Sequence, residues 1–123
     1  MSQLPAEAVD IPARVRTAVA AIQDRKAFDL RVLDLSEVSD FTDYFLVATG
    51  GSERQVRAIA EGVADNLRAE STRALHVEGQ EHGKWILMDY GDFLVHIFAE
   101  ELREYYRLER LWADAPDVTG EFV

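Results

Sequence analysis

At 123 residues, 48% of them hydrophobic, the chain fits one domain with enough apolar surface to build a core. It contains no cysteine and no run of about eighteen apolar residues, which excludes disulfide frameworks, thiolate nucleophiles, cysteine-ligated zinc and a membrane-spanning helix. A formal net charge of −10 argues against broad nucleic-acid contact, because phosphate binding is driven by lysine and arginine displacing counterions; a basic protein partner, or plain solubility, is the better reading.

The first residues, MSQLPAEAVDIPARVR, lack the basic flank and apolar stretch of a secretion signal, so a cytoplasmic protein is expected. From Arg14 to Gln23, Val15, Ala18, Val19 and Ile22 recur at helical spacing, with Asp10 and Pro12 as start signals. FDLRVLDLS then alternates Leu30, Val32 and Leu33 imperfectly with charged neighbours and reads as a strand, and YFLVATG is a continuous apolar run ending at glycine, the pattern of a buried strand. The intervening SEVSDFTD is a polar loop, rich in residues that bond locally to backbone. Ser52 and Gln55 have the spacing of a capping box, and Val56, Ile59, Ala60, Val63 and Leu67 mark one face of a second helix.

RALHVEG predicts a short strand and GQEHG a polar turn. WILMDYGDFLVHIF then reads as a hairpin, two apolar runs joined through Asp89-Tyr90-Gly91-Asp92, with Gly91 suited to the turn. From Ala99 onward Leu102, Tyr105 and Tyr106 share a helical face, while Leu108, Leu111 and Trp112 are out of phase with it, which predicts a bend or a second short helix near Arg107. The order helix, strand, strand, helix, three strands, helix predicts an α/β fold: a single domain with a mixed sheet of about five strands flanked by helices. The domain is expected over 1–112, followed by a loose acidic tail over 113–123.

A search for chemistry finds little. ATGGSERQ sets glycines between a strand and a capped helix, a geometry that can present amides to a phosphate, but it lacks the lysine of a P-loop. It is also like the Gly-Ser turn of nucleotidyltransferases, where the following strand supplies paired carboxylates for two magnesium ions; here that strand offers only Glu78. His76, His82 and His96 show no tight ligand spacing with Glu78 or Glu81, and His96, inside an apolar strand, reads as an interior or interface residue. Asp89 and Asp92 flank a turn, where aspartates commonly bond turn amides. No catalytic residue, metal or cofactor is assigned.

TDYFLVATG, SERQVRAIAEGV, VEGQEHGKWILMDYGDFLVHIF and REYYRLERLW, in that order, closely resemble the ribosomal silencing factor family, also called Iojap-related proteins. The resemblance runs from about the first helix to Trp112. It implies a non-catalytic α/β domain with a nucleotidyltransferase-like topology stripped of its catalytic carboxylates. It further implies a translation repressor that binds the large ribosomal subunit through ribosomal protein fourteen, blocks joining of the small subunit, and in organelle relatives takes part in large-subunit assembly. By the same resemblance Trp85, Asp89, Tyr90 and Asp92 fall on the partner-facing surface. Their types suit it: aromatics anchor desolvated contacts, and aspartates pair with lysine or arginine at a rim. Tyr105, Tyr106 and Trp112 read as core packing or as a homodimer contact made before ribosome binding. Two other classes compete with a binding protein of this kind: a nucleotide-binding or nucleotidyl-transferring enzyme on the same topology, and an adaptor for some other basic protein.

Overall fold

The computed structural model describes residues 10–106 and 114–123, the last three residues of the third helix by backbone alone. Three helices, α1 (Ile11–Asp24), α2 (Glu53–Ala69) and α3 (Glu100–Tyr106), accompany five strands, β1 (Phe28–Asp34), β2 (Tyr44–Gly50), β3 (His76–Glu78), β4 (Trp85–Asp89) and β5 (Phe93–Ala99). The sheet order is β1-β2-β5-β4-β3. Only the central β2–β5 pair is parallel; the others are antiparallel, so the sheet is mixed as expected. The predicted bend near Arg107 lies outside the described residues. No helix among the described residues is long and apolar enough to cross a membrane.

Each element forms for a local reason. Asp10 caps α1 by accepting the Ala13 N–H, and Pro12 stands in its first turn, where a missing amide costs nothing. Val15, Ala18, Val19 and Ile22 are fully buried along one stripe. Ser52 caps α2 through the Gln55 N–H, but the reciprocal bond falls one residue early: Gln55 Oε1 accepts the Gly51 N–H at 2.6 Å. The Gln55 amide donates onward to the carbonyls of Arg25 and Lys26, which ties the start of α2 to the end of α1. The imperfect alternation of β1 has a backbone cause, a register break between Phe28 and Arg31 with Asp29 at φ +52°. Phe45 to Gly50 are buried without interruption, because β2 lies inside the sheet with both faces covered.

The sheet has two unlike faces. Val32, Leu46, Ala48, Ile86, Met88, Tyr90, Phe93, Val95 and Ile97 pack under α1 and α2 in the main core. Leu33, Phe45, Val47, Leu94, Phe98 and Trp85 lie on the other side, where Trp85 and Leu102 of α3 pack against Val47 and Phe98. Arg103 reaches the same side, its Nη1 donating to the buried Thr49 hydroxyl at 2.6 Å.

Residues 114–123 correct the expectation of a loose tail. Asp117 bridges Leu33, the Val118 N–H donates to the Val32 carbonyl and the Asp34 N–H to the Pro116 carbonyl, so the segment lies along the outer edge of β1. Phe122 then turns under the helices, 9% exposed, with its ring edge-on to Tyr44 at 5.6 Å and the Arg16 guanidinium 5.3 Å above it. Composition suggested a tail because proline, glycine and acid break periodicity. Backbone pairing to an edge strand does not require periodicity, and one buried phenylalanine contributes about 2 kcal/mol to holding it.

Candidate docking site at the hairpin end of the sheet

The β4–β5 hairpin is built by its turn residues. Gly91 takes φ +86°, a conformation that favours glycine, and Asp89 Oδ1 accepts the Gly91 N–H at 2.8 Å. The Tyr90 N–H donates to the Phe93 carbonyl and the Asp92 N–H to the Tyr90 carbonyl. Two other segments clamp this tip. The Asp43 N–H, from the loop before β2, donates to the Asp92 carbonyl at 2.9 Å, and the Leu75 N–H, before β3, donates to the Asp89 carbonyl at 2.7 Å. The turn, the Ser39–Asp43 loop and the start of β3 therefore form one rim at one end of the sheet.

The four residues expected at a partner surface do not converge. Asp92 is exposed at the tip, and its carboxylate makes no hydrogen bond or ion pair among the described residues. Asp89 is half-buried and committed to the turn. Tyr90 corrects the expectation: it points to the helix side, is 8% exposed and stacks on Phe93 at 5.0 Å. Burial pushes its hydroxyl pKa up to about 12. Alternation along a strand is the reason, since neighbours of Asp89 must face the other way.

Trp85 lies at the far end of β4, about 13 Å from Asp89 along the strand but on the same face. Its half-buried indole stacks on Phe98 at 5.0 Å and donates from Nε1 to His96 Nδ1 at 3.1 Å. Because Nδ1 accepts, the neutral His96 ring carries its proton on Nε2, which is buried without a partner among the described residues. Burial lowers the His96 pKa to about 4.

Two residues were missed in the sequence. Leu75 is 75% exposed and its Cδ1 stands 3.3 Å from where a Cβ on Gly91 would sit; Phe41, two positions before Asp43, is 61% exposed. The signal for Phe41 is a lone apolar residue in the polar segment SDFTD; Leu75, next to Ala74 and close to Val77 in RALHVEG, carries no comparable signal. The same rim segments carry Asp40, Asp43, Asp89 and Asp92.

The turn at Gly50 to Ser52 offers no comparable chemistry. The Ser52 hydroxyl caps α2, and a Cβ on Gly50 would press within 3.0 Å of the Val56 side chain, so the glycine serves close packing. Glu78 is three strands from β2, roughly 14 Å across the sheet. Among the described residues there is no group of three or more histidines and carboxylates placed to hold a metal.

A sequence model of the family described as "Ribosomal silencing factor during starvation" matches residues 8–123. The chain belongs to the ribosomal silencing factor family. It is 40% identical over 102 residues to a ribosomal silencing factor of Bacillus subtilis, covering 83% of this chain and 86% of the relative. A mouse protein named for mitochondrial assembly of the ribosomal large subunit is 27% identical over 111 residues, which span 88% of this chain and 49% of that longer one. Among solved structures, a Chromobacterium violaceum protein superposes with a TM-score of 0.83 at 36% identity, covering 85% of this chain and 88% of that one. A Bacillus halodurans protein does so with a TM-score of 0.76 at 38% identity, covering 85% and 94%. The same fold therefore serves this silencing-factor chain and its solved neighbours.

Proposed function

We propose that this chain is a non-catalytic, ribosome-associated repressor of translation. It binds the large subunit through ribosomal protein fourteen and sterically prevents the small subunit from joining, with a second role in large-subunit assembly. Family membership supports the class of function. The observation that carries the mode of action is the rim at the hairpin end, whose segments combine exposed Leu75 and Phe41 with the aspartates of the turn and of the loop before β2. Apolar anchors beside unpaired acid suit a basic protein surface, and the chain's net charge of −10 repels RNA elsewhere on the ribosome. The docking strip runs from Trp85 through Leu87 to Asp89 on the face away from α1 and α2, and ends on Asp92. Tyr90 supports this strip from beneath and is not part of it.

Steric exclusion makes order matter. Added to separated subunits before mixing, the protein should reduce the fraction of joined ribosomes in a sucrose gradient; added to ribosomes already joined, it should change that fraction far less. Equal dissociation of preformed ribosomes would point to active splitting and overturn the mechanism. Failure to sediment with large subunits would overturn the ribosomal reading itself.

A further inference from the structure

On the helix side of the sheet, away from the docking strip, two hollows of about 280 and 240 Å³ lie between α2 and strands β3 and β4. Ala64, Arg68 and Val77 border both, so they form one groove. Val77, Ile86 and Met88 line it with apolar surface, left open because the apolar residues of the α2 wall there are the small Ala60 and Ala64. β3 is the last strand of the sheet, so the groove is open along its outer side.

The charge of this groove is opposite to that of the chain. Arg57, Arg68 and Arg73 stand on its walls against one carboxylate, Glu61, among the described residues. Arg57 is fixed in place, donating to the carbonyls of Gln80 and Glu81 at 2.9 and 2.6 Å. Arg68 meets only the exposed Asp65, and Arg73 makes no hydrogen bond or ion pair among the described residues. From Arg57 to Arg68, α2 rises about 16 Å, the span of about five residues of extended chain.

We propose that this groove docks an acidic peptide segment of a partner protein, seating apolar side chains in the two hollows and carboxylates on Arg57, Arg68 and Arg73. A phosphate backbone would satisfy the arginines but leave the apolar lining unused, and the groove is too open along the sheet edge to enclose a small ligand. The hollows lie on the other face of the sheet from Trp85, Leu87 and Asp89, and the proposal does not depend on the ribosomal contact.

The test uses a fluorescein-labelled amphipathic peptide with leucine on one face and glutamate on the other, titrated into the full chain. Saturable binding is expected, with amide shifts confined to residues 57–68 and 72–90. Arg68→Glu combined with Arg73→Glu should weaken it at least tenfold at an unchanged thermal midpoint, since both side chains are exposed and the Arg68–Asp65 pair contributes little. Filling the wall between the hollows with Ala64→Phe should weaken it as well. No saturable binding, binding that both variants leave intact, or shifts at these residues produced instead by a short uridine oligonucleotide would overturn the proposal.

Discussion

Protonation of His96 should destabilise the fold, and the size of the effect can be worked out. The ring lies among Phe45, Trp85 and Phe98, with its Nδ1 accepting from the Trp85 indole. Adding a proton at Nδ1 sets donor against donor and leaves a buried cation whose other N–H has no partner among the described residues. With the folded pKa at about 4 against an ordinary 6.5, the neutral ring stabilises the fold above pH 6.5, and that contribution is lost as pH falls from 6.5 toward 4. The loss amounts to about 2 kcal/mol at pH 5 and about 3 kcal/mol at pH 4. Urea unfolding followed by circular dichroism at pH 7, 6 and 5 measures it. Asp117 is raised by burial but lowered further by its bonds from Thr119 and by Arg31, so it also loses stability on acidification. That loss is common to wild type and to His96→Gln, which cannot take up the proton. The wild type should therefore lose about 2 kcal/mol more than the variant between pH 7 and pH 5. Parallel curves would refute the buried, neutral assignment.

Truncating the rim and truncating the strip should separate binding from folding. Leu75→Ala removes an exposed side chain, so stability should hold within about 0.5 kcal/mol while affinity for large subunits falls by about 2 kcal/mol, roughly thirtyfold; unchanged affinity would take Leu75 out of the contact. Trp85→Ala should cost about 2 to 3 kcal/mol of stability, less than a fully buried tryptophan, because the indole stacks on Phe98 and bonds His96 yet stays half-exposed. If affinity measured on the folded protein is unaltered by that change, Trp85 packs the sheet and does not dock.

Elements with a strong local signal were legible in the sequence. β2 was read residue for residue, because an uninterrupted apolar run is what a doubly covered strand requires. The start of α2 was read from the Ser52 and Gln55 spacing, although the bond from Gln55 falls on Gly51, a detail set by the reach to α1. What escaped was tertiary. Phe122 carries no periodic signal, since its burial comes from two backbone bonds that bring 116–118 to the edge of β1. Tyr90 was placed with its neighbours in the turn, whereas strand alternation sends its ring to the other side. The segments that carry Leu75 and Phe41 meet the hairpin turn only through backbone bonds between residues about 15 and 50 apart in sequence.

The two aspartates of the hairpin look alike in sequence and differ in the fold, and that difference separates turn chemistry from charge. Asp89 accepts the Gly91 N–H through Oδ1, so it shapes the turn; the Asp92 carboxylate has no such bond and stands in solvent. An asparagine keeps a carbonyl oxygen for the Gly91 N–H while removing the charge. Asp89→Asn should therefore leave stability nearly intact, whereas Asp89→Ala should lose about 1 kcal/mol with the turn bond. Asp92→Asn and Asp92→Ala should be equally silent in folding. If charge recruits a basic partner, both Asp92 variants should slow association severalfold at low salt, and the gap from wild type should close as salt rises, because exposed charges steer encounters and are screened. A slower dissociation-free encounter that is independent of salt, or an effect of Asp92→Ala on unfolding, would mean the carboxylate acts through structure and not through its field.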